Sequence, residues 1–389
     1  MTKDDQRGGG AGMRVALAAL TALAVSQGIG RFAFTPILPM MQQDAGLSVP
    51  DGGWLASANY LGYLLGALWA VRLSIGASAA IRTGLAVTGL STIAMALHGG
   101  FLSWIILRAV AGVASAWVLV FVSAWSLERL SQLGRADLGG VAYAGVGTGV
   151  VVAGAGCLIA MGAGASSSVA WAALGAAALA ATAIIWPVFG ASAQRVEARA
   201  AETERRETDF WRLVLCYGGY GFGYIIPATF LPVMAKQVIA DPAFFGWAWP
   251  VFGAAAVLST FAATRAARRF SLRAVWAASH LVMAAGVVVP VALPGLAGIL
   301  VAALCVGGTF IVITQVGLQE ARRVAGPRAR ALIAAMTAAF ALGQIAGPLA
   351  AAYGVRATGG FTGALILAAL LLAVSALALL ATPARSPRA

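Results

Sequence analysis

The chain has 389 residues, 61% of them hydrophobic and 10% charged, with a mean hydropathy of +0.89; a water-soluble domain carries about 25% charged residues, so that class is excluded. The net charge of +13 would suggest a nucleic-acid-binding face on a soluble chain, but here the basic residues punctuate apolar runs, and no nucleic-acid partner is expected. Cys157, Cys216 and Cys305 stand singly in apolar stretches with no CxxC spacing, which argues against a metal or redox centre and leaves them as packing residues.

A bilayer crossing takes about 20 mostly apolar residues. Hydrophobic windows predict twelve spans, at 14–41, 52–72, 80–98, 101–127, 138–162, 169–189, 210–235, 243–264, 273–293, 295–319, 331–354 and 360–381. The start of the first, Arg14 followed by an Ala/Leu run with Ala22-Leu23-Ala24, resembles a signal peptide. The apolar run continues through Phe32, Phe34 and Leu38 to Met41, which predicts a retained helix. Between the sixth and seventh spans, Ala191 to Asp209 is rich in Arg and Glu and reads as a solvated linker. The expected organisation is a tail (1–13), a six-helix bundle (14–190), the linker (191–209), a second bundle (210–382) and a tail (383–389).

Of the 26 basic residues, 22 fall in the tails and alternate loops on one side, whereas the opposite loops hold Lys236 and Arg356. Basic loops resist translocation, so the crowded side, with both termini, is expected to be cytoplasmic in a multi-pass protein of the inner (plasma) membrane. Attraction to anionic lipid adds to the same bias.

A shift of 193 positions lays Gly28, Gly30, Leu38, Pro39 and Met41 over Gly221, Gly223, Leu231, Pro232 and Met234, and Glu128 lies 192 positions before Glu320. A parallel repeat of this kind predicts a pseudo-two-fold axis along the membrane normal and a cavity between the halves at mid-depth.

These features resemble the major facilitator superfamily. Arg108-Ala-Val-Ala-Gly112-Val-Ala-Ser-Ala116 is similar to its Arg-x-x-x-Gly-x-x-x-small motif, and Gly343-Gln-Ile-Ala-Gly347-Pro348 to its Gly-x-x-x-Gly-Pro element. Gly145, Gly149 and Gly154 form a proline-free counterpart of that element. Gly28-Ile-Gly-Arg31-Phe-Ala-Phe-Thr-Pro36-Ile-Leu-Pro39-Met-Met resembles the first helix of the YbfB/YjiJ-type branch. The resemblance implies an all-α membrane protein of two pseudo-symmetric six-helix bundles, acting as a monomer in the lipid bilayer. One motif departs: Ala70 to Arg82 keeps Arg72, Gly76 and Arg82 but has no Asp. An inner lock would instead fall to Glu128 and Glu320 with nearby arginines, although helix-end pairs are by default exposed and worth under about 1 kcal/mol.

Arg31 and Arg108 are the two basic residues set deep in spans, and all 13 Asp and Glu residues map to tails, loops or helix ends. A mid-membrane Arg costs about 2.5–3.5 kcal/mol on insertion scales, so each faces a cavity or a partner. Two such cations would favour an anionic solute such as a carboxylate; the alternative is that they brace helices through backbone carbonyls. Asn59, Tyr60, Tyr63, Tyr143, Tyr217, Tyr220, Tyr224, Gln315 and Gln344 extend the candidate substrate site, each open to a packing reading. His280 reads as a neutral buried histidine. Pro36, Pro39, Pro227 and Pro232 free carbonyls and permit bends, and with Gly347 and Pro348 they are the gating candidates. Gly62-x-x-x-Gly66, Gly145-x-x-x-Gly149 and Gly343-x-x-x-Gly347 read as close helix contacts.

The expected function is secondary transport of a small solute by alternating access, an organic anion being the first candidate. Efflux of drugs or metabolites and a non-transporting solute receptor remain open alternatives. Neither lysine stands in a P-loop context, so no nucleotide-driven step is expected. No enzyme, cofactor or metal is expected, because no His cluster, carboxylate pair or nucleophile–base pair falls within the spans.

Overall fold

Apolar runs that cross lipid must satisfy their own backbone, which in the absence of a closed barrel means helices. The computed structural model describes residues 3–70, 75–97, 99–135, 138–190, 207–238, 246–267, 269–325 and 329–381, and these are helical with short connections. The first expected span is α1 (Lys3–Leu23), a π-helical turn (Ala24–Ile29) and α2 (Phe34–Asp44). Next come α3 (Val49–Ala70), α4 (Ala77–Ala94), α5 (Phe101–Gln132), α6 (Gly139–Gly162) and α7 (Ser167–Ile185). The second half is α8 (Glu207–Val238), α9 (Ala248–Ala266), α10 (Leu272–Ala292), α11 (Leu296–Ala325), α12 (Ala329–Thr358) and α13 (Thr362–Leu380).

Each of the twelve expected spans coincides with a helical segment. Among the described residues, nine of these segments are long and apolar enough to cross a membrane by length and composition alone; α3, α4 and α9 fall outside that group. Several ends differ from expectation. α5 runs on to Gln132 and α11 to Ala325, because a hydropathy window stops at the first charged residues while helical hydrogen bonding does not. Residues 3–13 of the expected tail are helical and continuous with the first span; just beyond them Ala16 packs with Leu130 and Leu138 in a small cluster of its own. Of the linker, 191–206 lie outside the described residues, as do Arg72 and the tail 383–389.

Two bundles result. In the first, α1 packs on α6, α5 on α3 and α4, and α4 on α7; in the second, α8 packs on α12 and α13, α11 on α9 and α10, and α10 on α13. Missing Cβ atoms set these distances: one on Gly62 would lie 2.0 Å from the Ala109 carbonyl oxygen, and one on Gly112 2.1 Å from that of Asn59. Backbones that touch in this way replace lipid contact with dispersion along the whole crossing. The equivalent contact in the second half, between α9 and α11, sets Gly307 against the Phe252 carbonyl, whose oxygen lies 2.3 Å from the ideal Cβ of that glycine.

The bundles meet through α3 with α12, α6 with α9 and α2 with α8. Hydrogen bonds reinforce the seam: Thr35 Oγ1 donates to Ala228 O (2.6 Å), Ser57 Oγ to Ile345 O (3.0 Å) and Lys236 Nζ to Pro39 O (3.1 Å). These residues occupy the half of each span remote from the chain termini. The halves are thus fastened to one another on the face opposite the termini.

Candidate functional site

The site begins at an interruption in the first span. Within residues 24–29 the helix widens to i→i−5 bonding, with Gly30 N–H donating to Val25 O and Phe32 N–H to Gln27 O; such π-turns are frequent where a helix serves a function. The Thr35 N–H then turns to Phe32 O, and Pro36 has no N–H to offer, so the Arg31 carbonyl lacks its helical donor. Arg108 supplies the replacement. Its Nη1 and Nη2 donate to Gly30 O (3.3 Å) and Arg31 O (3.2 Å), while its guanidinium lies 4.7 Å from the Phe34 ring centroid. Asn59 Nδ2 donates to the Arg108 carbonyl (2.9 Å), tying α3 to the same point.

With its own carbonyl engaged by Arg108, the Arg31 side chain points between the bundles and is 4% exposed. Nη1 donates to Gln27 Oε1 (3.3 Å) and Nη2 to Gln344 Oε1 of α12 (2.6 Å). Nε has no partner. The guanidinium carbon is 3.9 Å from the Tyr63 ring centroid and 5.3 Å from those of Tyr60 and Phe32. Cation–π contact of this kind offsets about 0.5–2 kcal/mol of the burial cost, but it supplies no counter-charge. Among the described residues Arg31 makes no ion pair; the recorded pairs involve Asp209 and Glu320.

Gln344 passes the link onward, its Nε2 donating to the Tyr224 hydroxyl. Tyr224 stands in an aromatic layer, nearly parallel to Phe310 (5.8 Å between centroids, 3°) and Phe340 (5.6 Å, 8°). Tyr220 stacks on it at 5.0 Å and donates its hydroxyl to Phe310 O (2.6 Å). Across the seam the Tyr60 hydroxyl pairs with Thr229 Oγ1 (3.3 Å).

The structure therefore brings Arg31, Tyr60, Tyr63, Tyr224 and Gln344 into one buried group, with Asn59, Arg108 and Tyr220 immediately behind it. Tyr217 lies in the aromatic layer, 5.4 Å from Tyr220 and 5.3 Å from Phe340. Tyr143 on α6 and Gln315 on α11 are half-buried, and Gln315 Oε1 has no partner. His280 is buried in the second bundle, where Nδ1–H donates to Trp276 O (3.2 Å) and Nε2 is unpartnered. Gln27, Phe32, Thr35, Ser57 and Thr229 were not among the expected site residues. Gln27 carried a usable signal, a polar side chain four residues before Arg31 in an apolar span.

The gating candidates divide. Pro36 and Pro39 follow the interruption, whereas Pro227 and Pro232 lie inside the continuous α8 and Pro348 inside α12. A Cβ on Gly347 would sit 2.4 Å from the Ile225 side chain, so that glycine holds α12 to α8. Glu320, expected at an exposed helix end, is 0% exposed: it accepts from Arg273 Nε (2.6 Å) and Arg323 Nε (2.9 Å). Arg273 also reaches Asp209 (3.4 Å). Glu128 is half-buried, in no ion pair among the described residues, and accepts from Gln132 Nε2 (3.2 Å).

Comparison with known proteins adds an independent line. Residues 23–380 match the model of a family described as uncharacterised MFS-type transporter YbfB. No match was found among curated proteins. The crystal structure of a mutant of the nucleoside transporter NupG is similar in fold, with a TM-score of 0.68 and 14% identity over 94% of this chain and 99% of that one.

Proposed function

This chain belongs to the major facilitator transporter family described as YbfB, and on that premise we propose that it carries a small organic anion by alternating access, with Arg31 as the binding cation. The observation that carries the reading is the Arg31 guanidinium itself, buried between the bundles with no carboxylate partner among the described residues and with Nε free. A carboxylate ligand supplies the missing charge and a bidentate match to the guanidinium. Arg108 has a different role, because its Nη1 and Nη2 donate to Gly30 O and Arg31 O within the first bundle and shape the interruption that presents Arg31.

In this reading the two bundles, 14–190 and 210–382, rock about the Arg31 group as units. The sidedness of basic residues supports cytoplasmic termini, and with that orientation the seam at Thr35, Ser57 and Lys236 closes the outward face. Pro36 and Pro39 are the hinge of the first span. Glu320 with Arg273 and Arg323 anchors the inner end of the second bundle, and Glu128 is its weaker counterpart in the first. With no carboxylate in the central group, anion exchange, or symport of a proton borne by the substrate, fits better than a protein-borne proton relay.

The aromatic layer of Tyr224, Phe310 and Phe340 favours one second reading, export of planar lipophiles. A thermal-shift screen of the purified protein separates the two, using acetate, lactate, succinate and benzoate, a lipophilic amine series, and uridine as a neutral solute. Stabilisation by carboxylates that is lost in Arg31→Ala is expected. Stabilisation by amines or uridine alone, unchanged in that variant, sinks the anion reading.

A further inference from the structure

We propose that a bound anion competes with Gln344 for Arg31, so that ligand binding itself severs the tie between the two bundles; this rests on the anion reading above. A guanidinium offers a carboxylate two bidentate edges, the end-on pair Nη1 and Nη2 and the side-on pair Nε and Nη2. Nη1 is held within the first bundle by Gln27. The side-on edge combines a donor with no partner, Nε, and one held from the opposite bundle, Nη2, through Gln344 Oε1 at 2.6 Å. A carboxylate docking on that edge displaces Gln344 alone.

The position of the tie gives its loss a mechanical consequence. The shift of 193 positions that relates the halves places Arg31 on Tyr224, and Gln344 bridges these two side chains. The link therefore joins equivalent points of the first and seventh spans, close to the axis about which the bundles are related. The next residue on α12, Ile345, accepts the Ser57 bond across the same seam. Freed from Arg31, Gln344 keeps its bond to Tyr224 and stays with the second bundle, while Arg31 stays with the first.

The competition also defines the ligand class. A neutral amide oxygen yields its place on a buried cation to a carboxylate, because the carboxylate brings the missing counter-charge and bonds Nε and Nη2 together, whereas the amide oxygen bonds Nη2 alone; a neutral solute gains no such advantage. Both Nη groups of Arg108 are held by carbonyls of the first bundle, which leaves Arg31 as the cation that faces the opposite bundle and matches a monocarboxylate head group.

The test titrates benzoate and lactate into purified wild type, Gln344→Ala, Gln344→Met, Gln344→Glu and Arg31→Gln, reading apparent affinity by thermal shift. Removing the competitor is expected to tighten carboxylate binding on the order of ten-fold in Gln344→Ala and Gln344→Met, the latter keeping the side-chain volume. Gln344→Glu, which puts a tethered carboxylate on Arg31, and Arg31→Gln are both expected to lose the response. Unchanged or weaker binding in Gln344→Met, with the response still lost in Arg31→Gln, overturns the competition but leaves the anion reading standing. A full response in Arg31→Gln, or none in wild type, overturns the anion reading and the competition with it.

Discussion

The first and seventh spans carry one pattern, Gly28, Gly30, Leu38, Pro39 and Met41 over Gly221, Gly223, Leu231, Pro232 and Met234, and fold differently. The seventh is an unbroken helix of 32 residues with both its prolines inside. The first opens into a π-turn and a non-helical step before α2. Proline alone therefore does not decide where a membrane helix breaks; something must also take the carbonyls that a break releases. In the first bundle that is Arg108. The same shift lands Arg108 on Val301, an apolar residue 38% exposed, so the second bundle offers no such donor, and Arg31 is replaced by Tyr224. One half presents the cation, and the other presents the aromatic layer and the glutamine that meets it.

The ends of the bundles on the side of the chain termini differ in the opposite sense, and there the largest effect is expected. Glu320→Gln leaves Arg273 without its principal counter-charge and should cost about 3 kcal/mol, read as a lowered Tm. Glu128→Gln should cost under about 0.5 kcal/mol. Equal losses would mean that the buried ion-pair network of Glu320 is worth no more than the single Gln132 bond of the half-buried Glu128. Next in size, Arg108→Leu strips two carbonyls of their donor and should destabilise the ligand-free protein by about 2–3 kcal/mol. Arg31→Leu also strips two oxygens, those of Gln27 and Gln344, but it removes an uncompensated buried charge at the same time, so the net shift should be smaller, about 1 kcal/mol. A larger loss in Arg31→Leu would reverse the roles assigned to the two arginines.

Glycine substitutions sharpen the same contrast. A Cβ on Gly28 lies 2.3 Å from the Gly149 backbone, whereas one on Gly223 meets the Leu372 side chain at 2.6 Å. Backbone cannot yield as a leucine can, so Gly28→Ala should fall at the upper end of the roughly 1–3 kcal/mol cost of overpacking, and Gly223→Ala at the lower. The smallest effect is expected for Lys236→Met, which loses one half-buried bond to Pro39 O worth about 1 kcal/mol. Its clearer signature would be faster labelling of cysteines introduced along the seam on the face opposite the termini.

Much of this was legible in the sequence. Apolar runs near twenty residues have few alternatives to a crossing, and the spacing of glycines marked the helix faces that touch. Arg31 and Gln344 were legible singly as polar groups in apolar spans. Their partnership was not, because 313 positions separate them and no local rule connects the first span to the eleventh. The break before Phe34 was equally hidden: each repeat carries two prolines, although only Pro39 and Pro232 coincide under the shift and Pro36 lands on Thr229, and the carbonyls that the break frees are taken by a tertiary contact to α5. Glu320 looked exposed because it sits among charges near a helix end; it is buried because Arg273, from the start of α10, folds over it.

The most direct measurement is the uptake of radiolabelled benzoate or lactate into proteoliposomes preloaded with the unlabelled anion or placed under an inward proton gradient, for wild type and Arg31→Gln at equal protein density. An anion carrier centred on Arg31 gives uptake in wild type that is absent from the variant. Equal uptake by both, or none by wild type in proteoliposomes that take up uridine or an amine, would contradict it.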